Sequence, residues 1–160
     1  MITQERLKHV LNYDPETGIF TWLGIIKYNV TKGSKAGYAG NYYHHIGIDG
    51  AKYYAHRLAW LFVTGRWPKK QIDHINGDGF DNRIKNLRES THYENMRNRK
   101  KSKKTKTGFK GVVFEGNRFA AQIGYNHSVI YIGSYGTPEE AHKAYCKKAD
   151  ELFGEFANHG

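Results

Sequence analysis

Hydrophobic and polar positions alternate along this chain with two periods, and the changes of period mark out its elements. After Thr3, the residues Leu7, Val10 and Leu11 fall on one helical face and predict a short helix over 3–11. The run "TGIFTW" (17–22) reads as a strand leaving a turn. In "YYHHIGIDGAKYYAH" (42–56), two strand-like runs flank Asp49-Gly50, whose residues accept the positive φ of a two-residue turn, so a hairpin is predicted. "HRLAWLFVTG" (56–65) reads as a short buried helix ended by Gly65, with Pro68 beyond it. "QIDHI" (71–75) is a short strand and "NGDG" (76–79) a turn. A further helix starts around Thr91, with Glu94 spaced as its capping box.

Past residue 107 the period settles at two. Gly111–Glu115, Arg118–Tyr125 and Ser128–Tyr135 read as three strands, with turns at Gly116-Asn117 and near Asn126. A helix follows over 137–154. Thr137 caps it, Pro138 takes the first helical position, Glu140 completes a capping box and Gly154 can end it. Ala141, Ala144, Tyr145, Ala149, Leu152 and Phe153 form its apolar stripe. The expected class is α+β: a mixed N-terminal module, then a three-stranded antiparallel sheet backed on one face by one helix, its other face open to a partner.

Composition narrows the function. With 39% hydrophobic and 25% charged residues in 160, the chain is neither a membrane protein nor disordered throughout. No apolar run reaches the roughly 20 residues of a span, and "MITQERLKHV" lacks a signal-peptide core. The single cysteine, Cys146, excludes an internal disulfide framework and a Cys-rich zinc site, so a reducing cytoplasm is expected. The net charge is +10, and its placement matters more than its size. Arg97, Arg99, Lys100, Lys101, Lys103, Lys104 and Lys106 follow one another with no acid between them. Such a run suits a polyanion, because neutralised phosphates release their counterions. It has no apolar face to bury in lipid, so nucleic acid is expected and a membrane is not. The run divides the chain into an N-terminal module over 1–96, a basic linker over 97–107 and a C-terminal domain over 108–160.

Candidate chemistry is concentrated in "IDHINGDGFDNRIKNLRESTHYEN" (72–95). Asn, Asp and Gly are turn formers, so Asn76, Gly77 and Asp78 shape the turn while Asp81 and Asn82 cap the loop. Asp73 and Asn95 offer a carboxylate and an amide oxygen, a sparse hard set of the kind magnesium accepts alongside water and substrate phosphate. The unperturbed pKa of histidine lies close to neutral pH, so a neutral His74 can take a proton from water. His56, at an apolar helix start, reads as packed and hydrogen-bonded.

The order and spacing of Asp73-His74, Asn86 and Asn95 resemble the HNH nuclease family and its ββα-metal motif. The strings "DHINGD", "DNRIKNLR" and "AHRLAW" carry the likeness to phage and intron-associated homing endonucleases over most of residues 1–100. The resemblance implies that His74 is the general base, that Asp73 and Asn95 hold the cation, and that Asn86 orients His74 across two strands. It also implies 5′-phosphate and 3′-hydroxyl products. Asn95 stands where the family's final histidine is usual, and an amide oxygen favours Mg²⁺ or Mn²⁺ over zinc.

The strings "GFKGVVFEGNRFAAQI", "YIGSYGTPEEAHKAYCKKA" and "FGEFAN" resemble the plant ethylene-response-factor (Apetala-type) DNA-binding domain, whose sheet lies in the major groove. On that likeness Lys110, Val113, Glu115, Gln122, Gly124, Val129 and Tyr131 face DNA, with Arg118 as a further contact. Val113, Gly124 and Val129 stand where the plant proteins prefer arginine, so fewer guanine readers are expected.

The expectation is therefore a homing-type endonuclease acting on double-stranded DNA, monomeric or dimeric, in a bacterial host cell if phage-encoded. The alternative is a non-catalytic DNA-binding regulator built on a degenerate nuclease fold. An RNA-directed nuclease is disfavoured by a sheet suited to a major groove that A-form RNA does not open to side chains.

Overall fold

The structure is a computed structural model that describes residues 1–24, 30–98 and 106–160. It divides into two compact units, Met1–Thr91 and His92–Gly160.

In the first unit, α1 (Gln4–Val10) is capped by Thr3, whose hydroxyl accepts the Arg6 amide. The expected helix over 3–11 stops one residue early: Leu11 turns extended and opens β1 (Leu11–Asp14). That strand pairs with β2 (Ile19–Trp22), the strand read in "TGIFTW". β1 was hidden because Leu11 and Tyr13, both buried, extend the apolar stripe of the helix before them. Next come β3 (Tyr38–Ala39), β4 (His44–Ile48) and β5 (Ala51–Tyr54), in the order β3-β4-β5. The expected two-residue turn joins β4 to β5, with Asp49 at φ 50° and Gly50 at φ 78°. α2 (Ala55–Thr64) runs on directly and ends at Gly65 in the left-handed conformation, which glycine adopts without a Cβ clash. Its Leu58, Ala59 and Leu61 join Leu7, Leu11, Phe20 and Ile46 in one core. β6 (Gln71–His74) and β7 (Leu87–Ser90) close the unit as an antiparallel pair, joined by a loop whose last turn is 3₁₀ (Ile84–Asn86).

The second unit opens with α3 (His92–Arg97). β8 (Val112–Glu115), β9 (Arg118–Tyr125) and β10 (Ser128–Tyr135) form an antiparallel sheet in the order β10-β9-β8. α4 (Pro138–Phe153) begins with the full capping box between Thr137 and Glu140, worth about 1 kcal/mol. Ala141, Tyr145 and Ala149 face Val112, Ala121 and Ile123. The alanines let helix and sheet approach closely. The opposite face of the sheet stays open, with Val113, Val129 and Tyr131 at 39%, 68% and 56% exposure. The α+β class and the helix-backed sheet are as expected.

Candidate active site

β6 is buried along most of its length, which is unusual for a strand carrying Asp and His. Ile72, Asp73 and His74 are 8%, 3% and 5% exposed. A buried carboxylate needs a partner. The hairpin register supplies one, because Asp73 lies opposite Arg88 on β7. The Nε and Nη2 of Arg88 reach Oδ2 of Asp73 at 2.9 and 2.8 Å.

His74 is enclosed by rings and one amide. Tyr43 stacks on it at 5.8 Å, and His56 meets it edge-on at 5.1 Å. Its Nε2 lies 3.4 Å from Oδ1 of Asn82. The Nδ2 of Asn82 donates to the Phe80 carbonyl, and its own carbonyl accepts the Tyr13 hydroxyl at 2.7 Å, so Asn82 is held at both ends. Burial lowers the pKa of His74, and the bond to Asn82 opposes this in part. An imidazole kept neutral with Nε2–H donating to Asn82 presents Nδ1 as a proton acceptor.

The loop between the strands is built by its own side chains. Oδ1 of Asn76 accepts the Asp78 amide, and Oδ1 of Asp78 accepts the Phe80 amide. Asp81 receives Arg83 and Asn76, and the Arg83 guanidinium holds its carboxyl down at about 2. Asn76, Asp78 and Asp81 thus do the turn work read from the sequence.

Asn86 differs from the expectation. Both donors of its amide go to the loop, to Oδ1 of Asn76 at 3.0 Å and to the Asp81 carbonyl at 2.8 Å. Its Oδ1 accepts the Asn76 amide, and its carbonyl accepts the Ile75 amide. Asn86 therefore ties the loop to the end of β6, and the side chain on His74 is Asn82, which the sequence reading took as a loop cap. Nothing in its immediate neighbours singles Asn82 out. Tyr43 and Arg88 were missed for the same reason, since each meets the site only through strand pairing or packing. His56 is packed as expected, stacked on Tyr54 at 5.4 Å, but its Nδ1 has no hydrogen-bond partner. Burial pushes its pKa down to about 3.

Asn95 lies in α3, within the second unit. No group of three or more His, Cys, Asp or Glu able to hold a metal occurs among the described residues. A carboxylate and amide oxygens are hard donors, which a partly hydrated divalent ion accepts.

Of the expected DNA contacts, Arg99, Lys100, Lys101, Lys103 and Lys104 lie outside the described residues, and Arg97 closes α3. Lys106 is exposed. Glu115, Gln122 and Tyr131 are on the open face of the sheet, where the Tyr131 hydroxyl donates to Glu115. Arg118 gives its guanidinium to Oγ and O of Ser134. Lys110 turns inward to the Asn158 carbonyl at 2.8 Å, and burial lowers its pKa to about 8.

The first unit thus carries a strand-borne Asp-His pair, a polar loop clamped by asparagine and a returning strand, the features on which the likeness to HNH nucleases rests. The HNH endonuclease family profile matches residues 53–97, which span β5 through α3. An uncharacterized HNH endonuclease of Acanthamoeba polyphaga mimivirus is 31% identical over 143 residues, covering 88% of this chain and 74% of that protein. The chain belongs to the HNH endonuclease family. No solved structure matches it at a significant level.

Proposed function

We propose that this protein is a homing-type endonuclease that hydrolyses phosphodiester bonds in double-stranded DNA, with His74 as general base and the C-terminal unit choosing the site. The observation that carries the reading is the buried His74 beside Asp73, inside the segment that the family profile matches. Asp73 and Asn95 are the side chains that would hold the cation, Mg²⁺ or Mn²⁺. When bound, such an ion supplies Lewis-acid stabilisation of charge at the scissile phosphate.

The remaining steps belong to the chain. Nδ1 of neutral His74 takes a proton from the attacking water, while Asn82 receives Nε2–H and keeps the ring in that tautomer. Tyr43, stacked on the ring, and His56, edge-on to it, limit its rotation. Asn86 holds the loop against β6, so that Asp73 and His74 keep their positions. Arg88 holds the Asp73 carboxylate in one orientation. The open sheet face and the Arg97–Lys106 run support DNA binding by the C-terminal unit, as in the ethylene-response-factor domain that it resembles.

The test is conversion of supercoiled DNA to nicked and linear forms by wild type and His74→Ala, with Mg²⁺, Mn²⁺, Zn²⁺ or chelator. Wild type should cut with Mg²⁺ or Mn²⁺ and stop with chelator. His74→Ala should be slower by roughly 10²–10⁴. Equal rates for the two proteins would remove His74 from the chemistry. Inactivity of both, with DNA still bound, would leave a DNA-binding regulator.

A further inference from the structure

The open face of the C-terminal sheet carries a groove that the nuclease chemistry does not use. It holds about 590 Å³, with Val113 and Phe114 of β8 and Val129 of β10 lining it, Gln122 and Gly124 of β9 between them, and Lys106 at its edge. Gly124 keeps it open, because a Cβ there would meet nothing within 4 Å. Val129 lies directly opposite Gly124 in the register and is 68% exposed. Two solvent-facing valines and one primary amide leave the middle of this surface uncharged, and Lys106 is the charged side chain that lines it.

Two features of the unit say what covers it. Lys106 is the last of seven cations in a run without an acid, so a polyanion is drawn to this edge. The chemistry of the groove then selects among base edges. Guanine is read by a free arginine or lysine fork, but Arg118 is held by Ser134 and Lys110 by Asn158. What the face does offer is an amide, which pairs with N6 and N7 of adenine, and methyl groups, which pack on the 5-methyl of thymine.

We propose that this groove reads A·T base pairs in the major groove of DNA, Gln122 taking adenine while Val113 and Val129 contact thymine methyls. The proposal deepens the reading of the C-terminal unit as the site-choosing module and rests on it. The register also sets a spacing. Gln122 pairs with Tyr131 and Gly124 with Val129, so Gln122 and Val129 are diagonal neighbours, roughly 7–8 Å apart. At a rise of about 3.4 Å per base pair, their contacts fall about two steps apart.

The experiment selects bound sequences from a random duplex library with the full chain in chelator, so that binding is read without cleavage. The enriched duplex is then rebuilt with uracil for thymine, one position at a time. Wild type should enrich a core of A·T pairs and lose about fourfold in affinity for each methyl that a valine contacts. The Val113→Ala/Val129→Ala variant should bind the thymine and uracil duplexes equally. Gln122→Ala should lose roughly tenfold of its discrimination for one adenine. Gly124→Leu, which fills open space, should keep salt-sensitive binding but lose the enriched core. An enriched core that survives all three substitutions, or uracil duplexes bound by wild type as tightly as thymine ones, would overturn the A·T assignment and leave DNA binding standing. Absence of DNA binding by the full chain would overturn both the assignment and the reading beneath it, and would point to a protein partner for this face.

Discussion

At the residue scale, the side chains around His74 divide the work of one proton transfer. Asn82 accepts from Nε2, and Tyr13 and Phe80 hold Asn82 in turn. Asn82→Ala would remove the acceptor that faces the buried Nε2–H of His74, at a cost of about 1–3 kcal/mol. Cleavage should fall roughly 10–100-fold, Asn82→Asp should retain more activity than Asn82→Ala, and ¹⁵N shifts of His74 should show the Nε2–H tautomer weakened only in the alanine variant. An unchanged tautomer with lost activity would make Asn82 purely structural. His56 gives a second prediction. Its folded pKa is near 3, pushed down by burial first and then by His74, so the fold accepts only the neutral ring. As pH falls through about 6.5 the unfolded chain binds a proton that the folded chain refuses, so stability is lost on acidification. The loss should run at up to about 1.4 kcal/mol per pH unit down to about pH 3. Urea unfolding at pH 7, 6, 5 and 4 should show this slope in wild type and a shallower one in His56→Phe.

At the element scale, local sequence was enough wherever an element is defined by its own residues. Thr137, Pro138, Glu140 and Gly154 announce α4, and the capping box is present as read. Asp49-Gly50 announces the β4–β5 turn, and both residues carry positive φ. β1 was not legible, because Leu11 and Tyr13 continue the preceding helical stripe and only pairing with β2 makes them a strand. Close approach is equally invisible in a sequence. Gly111 has φ 74°, and a Cβ there would run into the Tyr145 ring of α4. Gly111→Ala combines backbone strain with that overlap and should destabilise the C-terminal unit by about 2 kcal/mol or more. Thermal unfolding checks this, and a shift no larger than that of a surface substitution would mean that the ring moves aside without cost.

At the scale of the whole molecule, two compact units share a chain whose positive charge is densest between residues 97 and 106. Each phosphate neutralised contributes about 0.9 to the slope of log K against log salt. Replacing Lys100, Lys101, Lys103 and Lys104 by Gln should reduce that slope by up to roughly 3.6 and weaken all sequences alike, since phosphate contacts carry no sequence information. Gel-shift titrations at several salt concentrations measure it, and an unaltered slope would place the run away from DNA. The family, the α+β class and the basic run were legible in the sequence, because each is a matter of residue type at a fixed spacing. Only the tertiary structure decided that Asn82 rather than Asn86 meets His74, that Arg88 holds Asp73, and that Lys110 points inward while Gly124 opens a groove. Those outcomes depend on strand register and on which side chains packing brings together, and neither is a property of neighbouring residues along the chain.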